Sequence, residues 1–272
     1  MLRFLLPLLL LLAPPAHAQT GPSQCIAIAD AAPGLQYLHK ASFRDPLPDH
    51  TVRISYIAHA SFLIQTPDGV SAVTDYTGFI GTTGLVPDIV TMNHAHDTHW
   101  TPVPDPAIRF VLQGWGETPG TAARHRLQLN DLLLRNIPTD IRSFDGIEPA
   151  GNSIFVFEVA GLCIGHLGHL HHEPTEAQYA ALGRLDVVMA AVDGGMTLDL
   201  PTMIKVLKRL KSSTVIPMHW FEGWTLDAFL TGMADEFAII DNGATSLTVS
   251  LRTLPRHPTV HVLRPRFLRD PE

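Results

Sequence analysis

The chain has 272 residues, of which 46% are hydrophobic, and its formal net charge is −7 at pH 7. This apolar content supports a sizeable core, and the length suits a large layered α/β fold. Because the charge is negative and Lys and Arg are scattered, nucleic acid and anionic membrane surfaces are poor partners. A small-molecule substrate is the expected partner.

The first 18 residues have the features of a secretory signal peptide. Arg3 supplies a positive charge, residues 4–12 form an apolar run, and residues 16–18 (AHA) match a cleavage site. The run is shorter than the roughly 20 apolar residues of a spanning helix, and no later segment is long and apolar enough to span. We predict cleavage after Ala18 and a secreted or periplasmic protein.

The two cysteines, Cys25 and Cys163, do not amount to a disulfide framework, although they could pair in an oxidising compartment. Cys163 lies in the apolar run GLCIG. If a strand continues from there to His166, the odd separation places the two side chains on opposite faces. Cys163 is therefore interpreted as a small core residue and not as a metal ligand.

Residues 19–50 are rich in Pro, Ala and Asp and are predicted to be a loosely held lead-in to a domain spanning residues 51–272. Strand patterns dominate the first half of this domain. They are VRISYI, SFLIQT, GVSAVTDY, PDIVTMNH, AIRFVLQ, LQLNDLLLRNI and NSIFVFEVAGLCIGH.

The second half alternates helices with strands. Helices are predicted at EPTEAQYAALGRL, DLPTMIKVLKRLKSS and TLDAFLTGMADEF, with the short buried strands DVVMAAV and STVIPMH between them. The last strands, FAIIDNGATSLTVSLRTL and TVHVLRP, include an Asp-Asn-Gly turn of the kind found in hairpins. This order predicts packed sheets with helices outside.

Histidines cluster where strands give way to loops. The stretch NHAHDTHW places three within six residues, and IGHLGHLHH and IPMHW follow later strands. Neutral imidazole suits Zn, Fe, Ni and Cu, and a catalytic zinc uses about three protein ligands and one open position. Two adjacent three-ligand sites could be filled by His94, His96, His99, His166, His169 and His219.

The ordered blocks ISYIAHASFLIQT, TDY, NHAHDTH, IGHLGH, VDGG and VIPMHW resemble the metallo-β-lactamase fold superfamily. They look most like its branch of ascorbate-phosphate-lactonase-like and phospholipase-D-like hydrolases. The resemblance covers about Val52 to Trp220 and implies an αβ/βα sandwich of two mixed β-sheets, an α+β layered form of the α/β class. By position it implies that the first metal is bound by His94, His96 and His166, and the second by His99 and His219.

The chain departs from the family pattern at two places. Thr98 occupies the acid position of H-x-H-x-D-H, with Asp97 one step earlier, and His169 replaces the usual bridging aspartate. Both changes remove an anionic ligand, so bound water becomes more acidic or the second metal binds weakly. Two interpretations stay open, a two-metal site completed by His169 and a one-metal site. Zinc is expected in one or two copies, and manganese or iron is not excluded.

Two further positions, Asp75 and His59, have two interpretations each. The resemblance makes Asp75 a brace for the histidine loop, although an Asx-turn is compatible with it. His59 either lines the pocket or is a buried structural histidine. His171 and His172 are expected near the pocket wall rather than as ligands.

The sequence therefore predicts a secreted metal-dependent hydrolase in which a metal-bound hydroxide attacks a lactone or ester. Asp97 is the candidate proton acceptor, or else caps its loop, and Asp193 before two glycines is a candidate outer acid. The alternatives are a phosphodiesterase on the same scaffold and a non-catalytic histidine-rich metal-binding protein. An iron-dependent oxidoreductase is a further alternative.

Overall fold

The computed structural model describes residues 23–27, 42–144, 146–221 and 223–271. The predicted signal peptide, residues 1–18, and most of the predicted lead-in lie outside these ranges. Within them, no helix combines the length and apolarity needed to cross a membrane.

The described chain contains four helices and sixteen strands. The helices are α1 (Gln24–Ala27), α2 (Glu176–Leu182), α3 (Leu200–Leu210) and α4 (Gly223–Met233). The first eight strands are β1 (Val52–Ala58), β2 (Ser61–Gln65), β3 (Ser71–Val73), β4 (Gly81–Thr82), β5 (Ile89–Met92), β6 (Phe110–Gln113), β7 (Arg126–Leu129) and β8 (Leu132–Ser143). The others are β9 (Gly146–Val159), β10 (Leu162–His166), β11 (Val187–Ala191), β12 (Thr214–Met218), β13 (Ala238–Ile240), β14 (Ser246–Val249), β15 (Thr259–His261) and β16 (Leu268–Arg269).

Two large mixed sheets form the body of the molecule. The six-stranded sheet has the order β14-β1-β2-β3-β5-β6, antiparallel up to β3 and parallel from β3 to β6. The eight-stranded sheet has the order β13-β15-β12-β11-β10-β9-β8-β7, and its strands from β10 to β13 are parallel. A small parallel pair, β4 and β16, lies apart from both.

The main core lies between the two sheets. Alternate residues of β1, such as Ile54 and Tyr56, pack against Phe155 and Phe157 of β9, as the two-residue period of a strand requires. Helices α2, α3 and α4 cover the outer face of the eight-stranded sheet. In the described residues, loop side chains cover the outer face of the other sheet. The predicted sandwich of mixed sheets is confirmed, with all three longer helices on one side.

Local sequence signals explain where two of these helices begin. The Thr175 side chain accepts from the Gln178 N–H while Gln178 reaches back to the Thr175 backbone, which is a capping box. Helix α3 begins after Asp199, whose carboxylate accepts from the Thr202 N–H, and it has a proline in its first turn. The sequence prediction of these helices is confirmed.

Two turns differ from the sequence interpretation. The stretch LQLNDLLLRNI is not one strand, because Asn130 adopts a left-handed φ of 49° between β7 and β8 and the two strands pair as a hairpin. The Asp241-Asn242-Gly243 turn is not a hairpin, because β13 and β14 belong to different sheets. The sequence does form a turn here, but the strands on its two sides pair with other strands.

The predicted loose attachment of the lead-in is wrong for residues 23–27. Cys25 forms a disulfide with Cys163 of β10, which has the small buried side chain expected of a core residue. The Ser23 hydroxyl and the Gln24 N–H also donate to Glu158, a buried carboxylate on β9. These contacts fasten α1 to the eight-stranded sheet.

We expect reduction of the disulfide to lower the melting temperature. The Cys25–Cys163 bond closes a loop of 138 residues, and a bond of this kind contributes about 2–4 kcal/mol, or roughly 5–15 °C at this size. Calorimetry with and without dithiothreitol measures the effect, and the double variant Cys25→Ser/Cys163→Ala is the control that does not respond to reductant. An unchanged melting temperature in protein whose thiols titrate as free would contradict this role.

Candidate metal centre

Five strands of the two sheets end at one edge, and the loops that follow them carry the cluster. Asp75 follows β3, the NHAHDTH loop follows β5, and His169 follows β10. Asp193 follows β11 and His219 follows β12. Carboxyl ends of parallel strands are where layered α/β folds present their chemistry.

A buried carboxylate holds His99. Nδ1 of His99 lies 2.6 Å from Oδ2 of Asp75, and both side chains are fully buried. The other oxygen of Asp75 accepts from the Asn93 N–H at 2.8 Å, which fixes the carboxylate to the start of the histidine loop. The predicted bracing role of Asp75 is confirmed. Since Nδ1 donates to the carboxylate, Nε2 of His99 carries a lone pair.

A second buried carboxylate stands behind His219. Nδ1 of His219 lies 2.9 Å from Oδ2 of Asp193. The other oxygen of Asp193 accepts from the N–H groups of Gly195, Met196 and Thr197, so the glycine turn holds the acid in place. Asp193 therefore lies beside the imidazole of His219, and its role as an outer acid stays a prediction.

The two carboxylate-backed imidazoles face each other. Nε2 of His99 and Nε2 of His219 are 3.2 Å apart, and both rings are buried. Because His99 carries its proton on Nδ1, a neutral His219 with its proton on Nε2 donates to the lone pair of His99. A cation that replaces this proton would be bound by the Nε2 lone pairs of both rings. A carboxylate, an imidazole and a metal in sequence form the usual outer support of metal-binding histidines. This pair fits a metal ion.

His94 and His96 form the outer part of the cluster. Nδ1 of His94 lies 2.7 Å from the Gly151 carbonyl oxygen, so Nε2 is free to bind. His96 is exposed, and its Nδ1 is 3.1 Å from Oγ1 of Thr98. The two rings are nearly parallel, with centroids 6.4 Å apart. They can hold a metal, with less protein support than the buried pair has.

The structure does not bring a free ring nitrogen of His166 to this cluster. Its Nδ1 accepts from the Asn93 side-chain amide at 3.1 Å, and its Nε2 donates to the Ala60 carbonyl at 2.8 Å. Both nitrogens are thus engaged by the protein, and the ring lies against Phe62. His166 in this arrangement ties the β1–β2 turn to the histidine loop.

His169 lies among the other histidines, where the sequence places the replaced acid. Its ring centroid is 4.6 Å from that of His99 and 5.5 Å from those of His94 and His219. The Arg142 N–H donates to Nδ1 of His171, and Nε2 of His171 is 2.8 Å from Nδ1 of His169. Neutral His171 therefore donates to His169, and neutral His169 carries its own proton on Nε2.

His59 lies against the buried pair from the β1–β2 turn. Its ring centroid is 4.0 Å from that of His219 and 5.1 Å from that of His99. Its Nε2 is buried without a hydrogen-bond partner in the described structure. Three residues at this centre have a left-handed backbone, namely His59, Asp75 and His219, with φ of 49°, 42° and 60°. Strained backbones of this kind gather at functional sites.

Burial lowers the pKa of His59, His99 and His169 and so keeps these rings neutral, which is the form that binds metals. Burial and then the nearby His219 lower the pKa of His99 to about 2 and that of His59 to about 3. Burial raises the pKa of Asp75 to about 6, so the carboxylate is still ionised at neutral pH. Burial opposes ionisation of Asp193 as well, but its close contact with His219 and its hydrogen bonds to the glycine turn lower its pKa.

A small cleft of about 240 Å³ opens beside His59. Its lining consists of Ala58, His59, Ser61, Thr77, Phe79, Asp97, Thr98 and Phe267. The rings of Phe79 and Phe267 are 5.2 Å apart and half-exposed. Asp97 is exposed here, which places it at the cleft and away from the carboxylates behind the imidazoles.

Sequence reasoning missed the partners that orient the histidines. Asn93, the Gly151 carbonyl and the Arg142 N–H each contact a histidine of this region. Backbone groups have no sequence signature, and only the position of Asn93 immediately before the cluster gave any signal.

The family comparison agrees with this geometry. Residues 53–219 match the model of a family described as the beta-lactamase superfamily domain. The chain therefore belongs to this superfamily, the metallo-β-lactamase superfamily, whose solved structures include metal-dependent hydrolases. No match was found among the curated proteins.

Solved structures share the fold at low identity. One is a metallo-β-lactamase superfamily member from Thermotoga maritima, with 23% identity and a TM-score of 0.55, covering 78% of this chain and all of that one. A metallo hydrolase from Ignicoccus hospitalis has 19% identity and a TM-score of 0.53, covering 74% and 99%. An isothiocyanate hydrolase from Delia radicum gut bacteria has 14% identity and a TM-score of 0.50, covering 73% and 98%.

We expect Asp193→Asn to weaken zinc binding by about 10–100-fold, the usual effect of removing a group that orients a ligand. The asparagine amide cannot accept hydrogen bonds from all the groups that now donate to the Asp193 carboxylate. It also does not favour the form of His219 that is protonated on Nδ1. Isothermal titration of the metal-free protein with zinc measures the change. Asp199→Asn is the matched control, because asparagine caps helix α3 equally well. Equal affinity in both variants would contradict the role of Asp193.

We expect the metal-free protein to lose stability as the pH falls from 7 to 5. A histidine such as His99, with a folded pKa near 2, is protonated below about 6.5 only after unfolding, and it contributes up to about 1.4 kcal/mol per pH unit. Asp75 acts in the opposite direction between its unfolded pKa and about 6, but the neutral imidazoles outnumber it.

Melting temperatures of chelator-treated protein across this pH range test the prediction. The His169→Asn variant lacks one imidazole whose pKa is lowered by burial and by His99, so its decline should be shallower. If the melting temperatures of this variant and of the wild type fell equally with pH, the histidine cluster would not be the cause of the loss of stability.

Proposed function

We propose that this chain is a metal-dependent hydrolase of uncharged, largely apolar esters or lactones. The 3.2 Å approach of Nε2 of His99 to Nε2 of His219 is the observation on which the proposal rests. Two imidazoles with carboxylates behind them form a cation site before any cation is bound. A bound metal supplies a Lewis acid and an acidified water molecule.

The histidines divide into groups with different tasks in this proposal. His99 and His219 hold a metal, and His94 and His96 offer an outer pair that can hold a second one. His169 presents an N–H on Nε2, which suits it to stabilise negative charge on the scissile oxygen. His166 keeps two loops together. Zinc fits the neutral nitrogen ligands, and iron and manganese fit them less well.

The exposed carboxylate of Asp97 lines the cleft next to these histidines. A carboxylate at the cleft can accept the proton that the reaction releases. Asp193 acts through His219 and is a positioning residue.

The cleft favours an ester or lactone over a phosphodiester. Phe79 and Phe267 form an apolar wall, and no lysine or arginine of the described residues lines the cleft to meet a phosphate. Its one charged group, Asp97, repels an anion. Phe221 extends the apolar surface, since its ring lies 5.3 Å from that of His59 and 5.2 Å from that of His219.

The protein is proposed to work outside the cytoplasm. The Cys25–Cys163 disulfide is compatible with the oxidising compartment, in agreement with the signal peptide predicted from residues 1–18. The hydrolase domain is proposed to span residues 51–272.

Turnover of p-nitrophenyl esters of increasing acyl length tests this function. We expect hydrolysis that a chelator abolishes and zinc restores, with kcat/KM higher for octanoate than for acetate. Phe79→Ala and Phe267→Ala should each lower kcat/KM for octanoate about tenfold, because each loses about 1–2 kcal/mol of apolar contact, and should change acetate turnover little.

Leu251→Ala is the control, an exposed apolar residue beside the β9–β10 turn, at the edge of the sheet opposite the histidines. Faster turnover of bis(p-nitrophenyl) phosphate than of any ester or lactone would favour the phosphodiesterase alternative. Tight metal binding without turnover of either class would favour the non-catalytic alternative.

A further inference from the structure

We propose that His59 is a metal ligand, and that His59, His99 and His219 form the tightest metal site of the cluster. The inference rests on the proposed function only in requiring that the cluster bind a metal. It adds a ligand from the β1–β2 turn, outside the three loops in which the sequence places ligands.

The three imidazoles are close enough to share one ion. One ring nitrogen of each lies within 4.8 Å of one ring nitrogen of the others. Zinc with nitrogen ligands at 2.0–2.1 Å in tetrahedral geometry separates them by about 3.3 Å. His99 and His219 already have this separation, at 3.2 Å, and His59 lies against both.

The hydrogen-bond inventory of His59 also favours this role. Its Nε2 is buried and has no partner in the described structure. A buried polar nitrogen without a partner costs about 1–3 kcal/mol. A metal ion shared with His99 and His219 would supply the missing partner.

The backbone holds His59 in place for this purpose. Its φ of 49° is left-handed, which is uncommon for a residue other than glycine. Its carbonyl oxygen accepts from the His219 N–H at 3.0 Å and from the Tyr56 hydroxyl. The backbones of His59 and His219 are therefore joined by a hydrogen bond, and their side chains project from one rigid junction.

The alternative third ligand, His169, is less suited. His171 donates to its Nδ1, so the neutral ring carries a proton on Nε2 and has no lone pair to offer there. Thr98, at the position where the family has an acid, is exposed and points its hydroxyl toward His96. His59 thus supplies the ligand that the loop sequence lacks.

Zinc affinity of His59→Asn tests the assignment. Asparagine tolerates the left-handed backbone and cannot reach as far as an imidazole. The matched control is His50→Asn, an exposed histidine with a φ of 59°. Competition against a chromophoric chelator gives the zinc affinity, and the visible spectrum of the Co²⁺-substituted protein reports the ligand geometry. Melting of the metal-free forms checks that each variant folds.

We expect the wild type and His50→Asn to bind at least one tight equivalent with the same spectrum. His59→Asn should bind that equivalent more than about 100-fold more weakly, beyond the 10–100-fold effect of a group that only orients a ligand, and with an altered spectrum. A smaller loss of zinc affinity with an unchanged spectrum overturns the assignment of His59 as a ligand but leaves the proposed function standing. A wild-type protein that takes up no zinc or cobalt overturns the proposed function as well.

Discussion

The facing pair of His99 and His219 is the contact on which the rest of the centre depends. His99 and its carboxylate, Asp75, follow strands of the six-stranded sheet, whereas His219 and Asp193 follow strands of the eight-stranded sheet. Each sheet therefore contributes one carboxylate–imidazole arm, and the arms meet where the edges of the sheets converge. A cation between the two Nε2 atoms would bond the two halves of the sandwich together.

The strained backbones lie at this junction for a reason. A strand normally continues outward, but His59, Asp75 and His219 turn inward with positive φ so that their side chains meet. Such conformations persist only where the surrounding structure holds them. Here the hold comes from Asn93, which donates its N–H to Asp75, and from the bond between the His219 N–H and the His59 carbonyl. The sheets make the junction rigid, and the loops carry the side chains of the candidate metal centre.

Sequence patterns predicted the strands, the three longer helices and most of the histidines that meet, because burial and strand ends leave periodic signals. They could not tell how the imidazoles are used. His166 is the last residue of β10 and His169 follows three residues later. Asn93 and Ala60 engage both nitrogens of His166, whereas the ring of His169 joins the cluster. That choice depends on partners more than 70 residues away in the chain. For His59 the sequence left two roles open, lining the pocket or a buried structural histidine, because a single histidine in a turn does not show what its ring contacts.

The lost acids do not leave the centre without negative charge. Thr98 and His169 occupy positions where the family pattern has acids, and a purely neutral ligand set would hold a dication with its charge unbalanced. Asp75 and Asp193 lie directly behind the two facing imidazoles, and both are ionised at neutral pH. In the proposed site, the charge of these two carboxylates equals that of one dication, and a carboxylate beside Nδ1 makes the Nε2 atom of the same ring a better ligand. This placement supports the proposal that the buried pair binds one metal more tightly than the rest of the cluster. No carboxylate hydrogen bond supports His94 or His96 among the contacts described, so we expect this outer pair to bind a metal less tightly.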